Sequence, residues 1–336
     1  MLKQIIRRQT IDDHEIIEYR MKNEELEVRF LNVGGSITKI AMASDNYEQN
    51  LILNYADLSK YLDNEYYLNA LIGRTSNRIV GGKFMLEGKE IQLDLNNDPH
   101  NLHGGNDNLT TQFFDVDELV DGYLLKTILP HQTSGFPGNL KVEVYYRLVG
   151  NQLKINYEAT TDATTIVNLT HHAYFNLSGN LERTIYDHQL EIKASHVAEV
   201  DVTAGFTGEL IPVAGTRFDF NEPLIIDPSR RERHYVFDNA GGYNQLFILD
   251  PTAKTAVTFK DLQSGRTLQV FTTEPACQFY TSGALANKTM FENNRPGEIH
   301  LGACFETHKI PYDYQSQVLR PGEVYVQETI FQFSNG

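Results

Sequence analysis

The sequence has no tryptophan and only two cysteines, Cys277 and Cys304, among its 336 residues. Two thiols cannot form a disulfide framework, so stability has to come from a hydrophobic core, for which an apolar share of 41% is ample. Basic residues are outnumbered, 29 against 44 acidic, which leaves a net charge of −15, and no basic cluster is longer than the patch Arg230-Arg231-Glu232-Arg233. Such a surface repels phosphate backbones and anionic lipid, so neither nucleic acid nor membrane is expected as a partner. No apolar run approaches the roughly 20 residues that cross a bilayer. The polar opening, Met1 to Arg20, has no apolar segment like that of a signal peptide, and a cytoplasmic location is expected. Pro- or Ser-rich linkers, breaks in composition and repeats with a period of about 20 to 50 residues are also missing. Neither a propeller nor a two-domain split is supported, and a single domain over 1–336 is the expectation.

What is present is period-two alternation. Leu26, Val28 and Phe30 alternate and are followed by Gly34-Gly35, where the backbone can turn sharply. Three hairpins are expected: Phe84 to Leu93 about Gly88, Lys141 to Thr160 about Gly150-Asn151, and Thr255 to Thr272 about Ser264-Gly265. In the second, Val142, Val144 and Tyr146 alternate with polar or half-polar neighbours, and Leu153, Ile155 and Tyr157 answer them across the turn, so one face is buried. Val324 to Phe333 reads as a closing strand. Helical pattern is confined to a short stretch, Asp57 to Asn64. The class is all-β, a large antiparallel sandwich.

The chemistry concentrates in Asn168-Leu-Thr-His-His-Ala-Tyr-Phe-Asn-Leu-Ser-Gly179, polar rings and amides within a strand-like segment. If Thr170 to Phe175 is extended, His171 and His172 point to opposite faces, so only one of them serves a site. Gly73-Arg-Thr-Ser-Asn77-Arg78-Ile-Val-Gly-Gly82 offers a forked donor between glycine turns, although Arg78 would serve equally as a surface ion-pair partner. Asn101-Leu-His103-Gly-Gly105 puts an imidazole where glycines admit a ligand, or where it merely satisfies a loop carbonyl. Thr272-Thr-Glu-Pro-Ala-Cys-Gln278 offers an amide. In Cys304-Phe-Glu306-Thr-His308, Glu306 and His308 share a face opposite Phe305, so Glu306 is either solvated or buried for a purpose.

Together with Gly135-Phe-Pro-Gly-Asn139 and Gly208 to Phe220, these motifs resemble, in order and spacing, the aldose 1-epimerase (galactose mutarotase) family from about Phe30 to Phe333. The resemblance implies a galactose mutarotase-type sandwich with an open carbohydrate cleft, no cofactor and no metal, a free monosaccharide as substrate, and a monomer or homodimer. It assigns Glu306 as general base and His172 as general acid. His103 would steady the ring oxygen or a neighbouring hydroxyl, and Asn77, Arg78, Tyr174, Asn244 and Gln278 would contact sugar. The assignment suits the reaction, since opening a cyclic hemiacetal needs one proton removed from the anomeric hydroxyl and one given to the ring oxygen. The chain departs from the family pattern in four places: His171 stands where Asn is usual, His308 where Gln is common, Phe113-Phe114 where an aromatic region usually carries Trp, and Asn244 where the family has a sugar-binding Asp. A sugar-binding protein with little turnover is the alternative that Asn244 motivates. A metal site on His103, His172, Glu306 and His308 is the other, without cupin spacing to favour it.

Overall fold

A computed structural model describes residues 1–226, 241–285 and 289–335, and the Arg230 to Arg233 patch lies outside them. Three antiparallel sheets dominate. Nine strands form the largest, in the order Asp115–Glu118, Gly122–Leu129, Leu140–Val149, Gln152–Thr161, Tyr325–Asn335, Arg266–Thr272, Val257–Asp261, His188–Ile192 and Leu224–Ile225. Six form the second: Tyr174–Phe175, Ala303–His308, Ala276–Tyr280, Asn244–Leu249, Ala194–Val200 and Phe206–Pro212. Four N-terminal strands, Leu2–Ile11, His14–Lys22, Leu26–Leu31 and Ile37–Met42, form a meander.

The three expected hairpins are present, at Lys83–Leu86 with Lys89–Gln92, Leu140–Val149 with Gln152–Thr161, and Val257–Asp261 with Arg266–Thr272. In the second, Val144 faces Tyr157 and Tyr146 faces Ile155, all of them buried. Alternation sets this register, because a one-residue slip would put the whole apolar set in water. The strand Leu2–Ile11 was hidden in the polar opening. It is an exposed edge strand carrying Lys3, Arg7 and Arg8, charges that discourage further edge pairing and also disguise a strand. The expected helix shrinks to Lys60–Asp63, and Tyr314–Gln317 adds a second single turn that the pattern does not reveal.

The core lies where the inner faces of the two larger sheets meet. Phe305 stacks on Phe279 at 5.5 Å and meets Phe259 edge-on at 5.3 Å, while Phe175 packs on Phe331 at 5.0 Å. Each buried aromatic of this kind contributes roughly 1.5–3 kcal/mol. Alternation then dictates the rest: with Phe279 and Phe305 turned inward, Gln278 and Glu306 have to face the other way. Among the described residues no helix is long and apolar enough to cross a membrane.

Candidate active site

The outward face of the six-stranded sheet is the floor of the site. Glu306 and Gln278 are directly paired across neighbouring strands, and Asn244 sits on the next strand, diagonal to Gln278. Glu306 is almost wholly buried at 2% exposure, and its Oε2 has no hydrogen-bonding partner among the described residues. Burial pushes its carboxyl up to about 8, even though the Arg78 guanidinium pulls the other way.

His172 approaches from the side. Its backbone is clamped, with its N–H donating to the Ala70 carbonyl at 2.9 Å and its own carbonyl accepting from the Asn69 N–H at 3.0 Å. Asn69 also accepts from the Tyr174 N–H at 2.9 Å. The His172 ring stacks on Tyr174 at 4.9 Å, its Nε2 is 3.4 Å from Glu306 Oε1, and its Nδ1 is 3.4 Å from Cys304 Sγ. Burial lowers this imidazole to about 4 and raises the Cys304 thiol well above its usual value, so Cys304 remains S–H. His171 pairs with Leu71 and turns its ring to Tyr146, at 6.1 Å, on the core side. The two histidines therefore face opposite ways, as alternation requires.

The glycine-flanked motifs supply the opposite wall. Asn77 and His103 both adopt positive φ, 61° and 54°, which lets two short segments cross at close range. The Asn77 N–H donates to His103 Nδ1 at 3.2 Å. A backbone N–H can only donate, so the proton of a neutral His103 resides on Nε2. His103 stays neutral because burial, helped by the positive Arg78, holds it well below the usual imidazole range. The same logic orients three amides. The Arg78 N–H donates to Asn77 Oδ1, so Asn77 Nδ2 donates to Gln278 Oε1 at 2.8 Å, and Gln278 Nε2 donates to Asn244 Oδ1 at 2.7 Å. Asn244 is thereby left with its Nδ2 donors to offer. Arg78, nearly buried, donates through Nε to Asn97 Oδ1 at 2.9 Å.

Glu306, His172, Asn77, Arg78, His103, Tyr174, Asn244 and Gln278 all border one cleft of about 740 Å³, within the range usual for small-molecule sites. The Tyr174 hydroxyl is engaged elsewhere, donating to the Tyr66 carbonyl at 2.9 Å, so its contribution is the ring beneath His172. Tyr66, Tyr67, Asn96, Asn97 and Tyr280 also line the cleft and were missed by sequence reasoning. Tyr67 follows Tyr66 and has φ 54°, a conformation that no local pattern announces. His308 shares the face of Glu306 but is buried apart from the cleft, its Nδ1 donating to the Lys309 carbonyl at 2.7 Å.

Other motif residues turn out to be scaffold. The Arg74 guanidinium is buried and donates to the carbonyls of Leu129, Pro137 and Gly138 and to the Thr165 hydroxyl, which accounts for Gly135-Phe-Pro-Gly. Asn168 brackets Lys309, and Asn176 Nδ2 holds the carbonyls of Arg183 and Leu301. Ligand-type atoms of His103, His172 and Glu306 lie within 4.8 Å of one another, a spacing that would admit a divalent ion.

The aldose 1-epimerase family model matches residues 18–332. The chain belongs to the aldose 1-epimerase family. The galactose mutarotase of Mus musculus is 34% identical over 325 residues, covering 94% of each chain, and that of Homo sapiens is 35% identical over 326 with the same coverage. The crystal structure of an aldose epimerase homologue from C. elegans, 26% identical, superposes with a TM-score of 0.85 over 95% of this chain and 98% of its own. The sandwich is thus the family's architecture, with this chain's cleft on the outward face of its six-stranded sheet.

Proposed function

We propose that this aldose 1-epimerase family member is a mutarotase, an isomerase interconverting the α and β anomers of free aldoses such as galactose and glucose. The observation that carries the reading is the Glu306–His172 pair, 3.4 Å apart at the floor of a cleft of sugar size. Glu306 as carboxylate takes the proton of the anomeric hydroxyl, whose O–H electrons form the C1 carbonyl. The C1–O5 bond breaks and its electron pair takes the proton carried by His172. Rotation about C1–C2 presents the other carbonyl face, and the two transfers reverse. His103, a neutral Nε2–H donor, and the Arg78 guanidinium stabilise the oxygens between which charge moves. Polarimetry on freshly dissolved α-glucose or α-galactose tests the activity: decay no faster than in buffer removes it and leaves a binding protein.

The pH profile follows from the same pair. Burial separates the two groups, to about 8 for the carboxyl and about 4 for the imidazole, so between these limits the pair holds one proton. The working form, carboxylate beside imidazolium, holds the same single proton as the resting form. Thus kcat/KM should be level between about 4 and about 8, falling below as a second proton blocks the base and above as the acid loses its proton. A rate that climbs through the upper limit without descending would show that His172 is not the donor.

Asn244→Asp keeps the acceptor used by Gln278 and replaces the free N–H donors with a carboxylate oxygen. Charged and neutral hydrogen bonds differ by roughly 1 kcal/mol, so the ratio of kcat/KM for glucose and galactose should shift by about fivefold. An unchanged ratio in the folded variant would mean that Asn244 does not touch the sugar.

A further inference from the structure

Cys304 is a buried group beside the acid that the two proton transfers leave unused. It stands two residues before Glu306 on the strand Ala303–His308, so both side chains leave the same face, about 7 Å apart. The His172 ring lies along that interval and meets one of them with each nitrogen, Nε2 at 3.4 Å from Glu306 Oε1 and Nδ1 at 3.4 Å from Cys304 Sγ. Packing holds it there. Its backbone is tied to Asn69 and Ala70, Tyr174 stacks on it at 4.9 Å, and His103 and Tyr280 meet it edge-on at 5.4 and 6.2 Å.

A thiol both donates and accepts, so its contact with Nδ1 fits either tautomer of a neutral ring, and the other nitrogen decides between them. Glu306 carries the pair's single proton at rest, because burial raises the carboxyl and lowers the imidazole. Oε1 of that carboxyl faces Nε2, whereas Oε2 is buried with no hydrogen-bonding partner among the described residues. A buried donor without an acceptor is rarer than an acceptor without a donor, so the proton sits on Oε1 and is donated to Nε2. Nε2 is then bare, and the ring's own proton is on Nδ1, facing the sulfur. The carbonyl of His172 itself draws a ring proton to the same side, but it already accepts from the Asn69 N–H. Ring closure asks for the same state: once the sugar is open, the neutral imidazole has to take a proton back from O5, which a nitrogen already protonated cannot do.

Resting on the mutarotase reading, we infer that Cys304 is a positioning residue for the acid: its sulfur accepts from His172 Nδ1–H and holds the neutral ring with Nε2 bare toward Glu306 and the cleft. The proton then crosses by one bond exchange, Oε1–H breaking as Nε2–H forms, which leaves carboxylate beside imidazolium with Nδ1–H untouched. The test reads the tautomer directly, by long-range proton–nitrogen NMR at neutral pH on protein isotope-labelled at its histidine nitrogens. Wild type, Cys304→Ser and Cys304→Ala are compared, with His172→Asn to assign the signal. Wild type and Cys304→Ser, whose hydroxyl also accepts, should show neutral His172 protonated on Nδ1, and Cys304→Ala should show Nε2–H as well. In polarimetry of galactose, Cys304→Ala should lose about fivefold in kcat, the worth of one neutral hydrogen bond, with KM changed by less than about twofold. Cys304→Ser should recover kcat to within about twofold of wild type. A wild-type proton on Nε2, or the same tautomer in Cys304→Ala as in wild type, overturns the inference and leaves the mutarotase reading standing. So does an equal loss of kcat in Cys304→Ser and Cys304→Ala, which is the mark of packing alone. No acceleration by wild type overturns both readings.

Discussion

Glu306→Gln should lower mutarotase turnover by about 10² to 10⁴-fold, the usual worth of general-base assistance, while the protein stays folded. The amide keeps the shape of the side chain and its place opposite Gln278 in the sheet, but it cannot take a proton from the anomeric hydroxyl. Folding should not suffer. Glu306 is a buried carboxyl held up to about 8, so above its ordinary range its ionisation opposes the folded state, and a neutral amide removes that cost. Sign and window follow together: the cost is absent below the unfolded value, grows between it and about 8, and is full above. Circular dichroism melts near neutral or higher pH should therefore show the variant at least as stable as wild type. Polarimetric turnover above about a tenth of wild type, in a variant so shown to be folded, would exclude Glu306 as the base.

His172→Asn should cost a comparable factor, about 10² to 10⁴, for the second half of the same exchange, and His171→Asn should change turnover by no more than a few-fold. The pair is diagnostic because the residues are neighbours in the chain and both are buried, so composition and burial cannot separate them. Direction does: His172 Nε2 is 3.4 Å from Glu306, whereas His171 turns to Tyr146 on the core side of the backbone. The pH profile supplies a readout that damage to packing would not move. With His172 gone the residual rate depends only on an ionised Glu306, so the descending limb above about 8 should vanish and the rate should rise to a plateau. Equal losses from the two substitutions, or a His172→Asn profile that still descends at high pH, would reassign the acid.

The hairpins around Gly88, Gly150 and Gly265 were legible because each is a local event: apolar alternation fixes which face is buried, and a glycine or its neighbour supplies the turn. The same alternation separated His171 from His172 and set Glu306 opposite Phe305. It failed where the signal was absent. The strand Leu2–Ile11 is exposed along most of its length and carries no apolar stripe to read. Tyr66 and Tyr67 lie in a loop whose course is decided by what it packs against. Motif resemblance marked stretches that the structure divides between cleft lining and scaffold: Arg74 and Arg78 stand four positions apart in one motif, yet one is bound to backbone carbonyls and the other borders the cleft.

By itself, then, the sequence determined the all-β class, the hairpin registers, the family and the residue types able to move two protons. Only the tertiary structure decided the state in which those residues act. The orientation of Asn244 depends on Gln278, which depends on Asn77, 201 positions away along the chain. The tautomer of His103 depends on the Asn77 N–H, and the environment of His172 on Cys304. Local pattern carries propensity over a few residues, whereas proton affinity and donor or acceptor character are set by burial and by partners brought together from distant segments, where water has been replaced by protein.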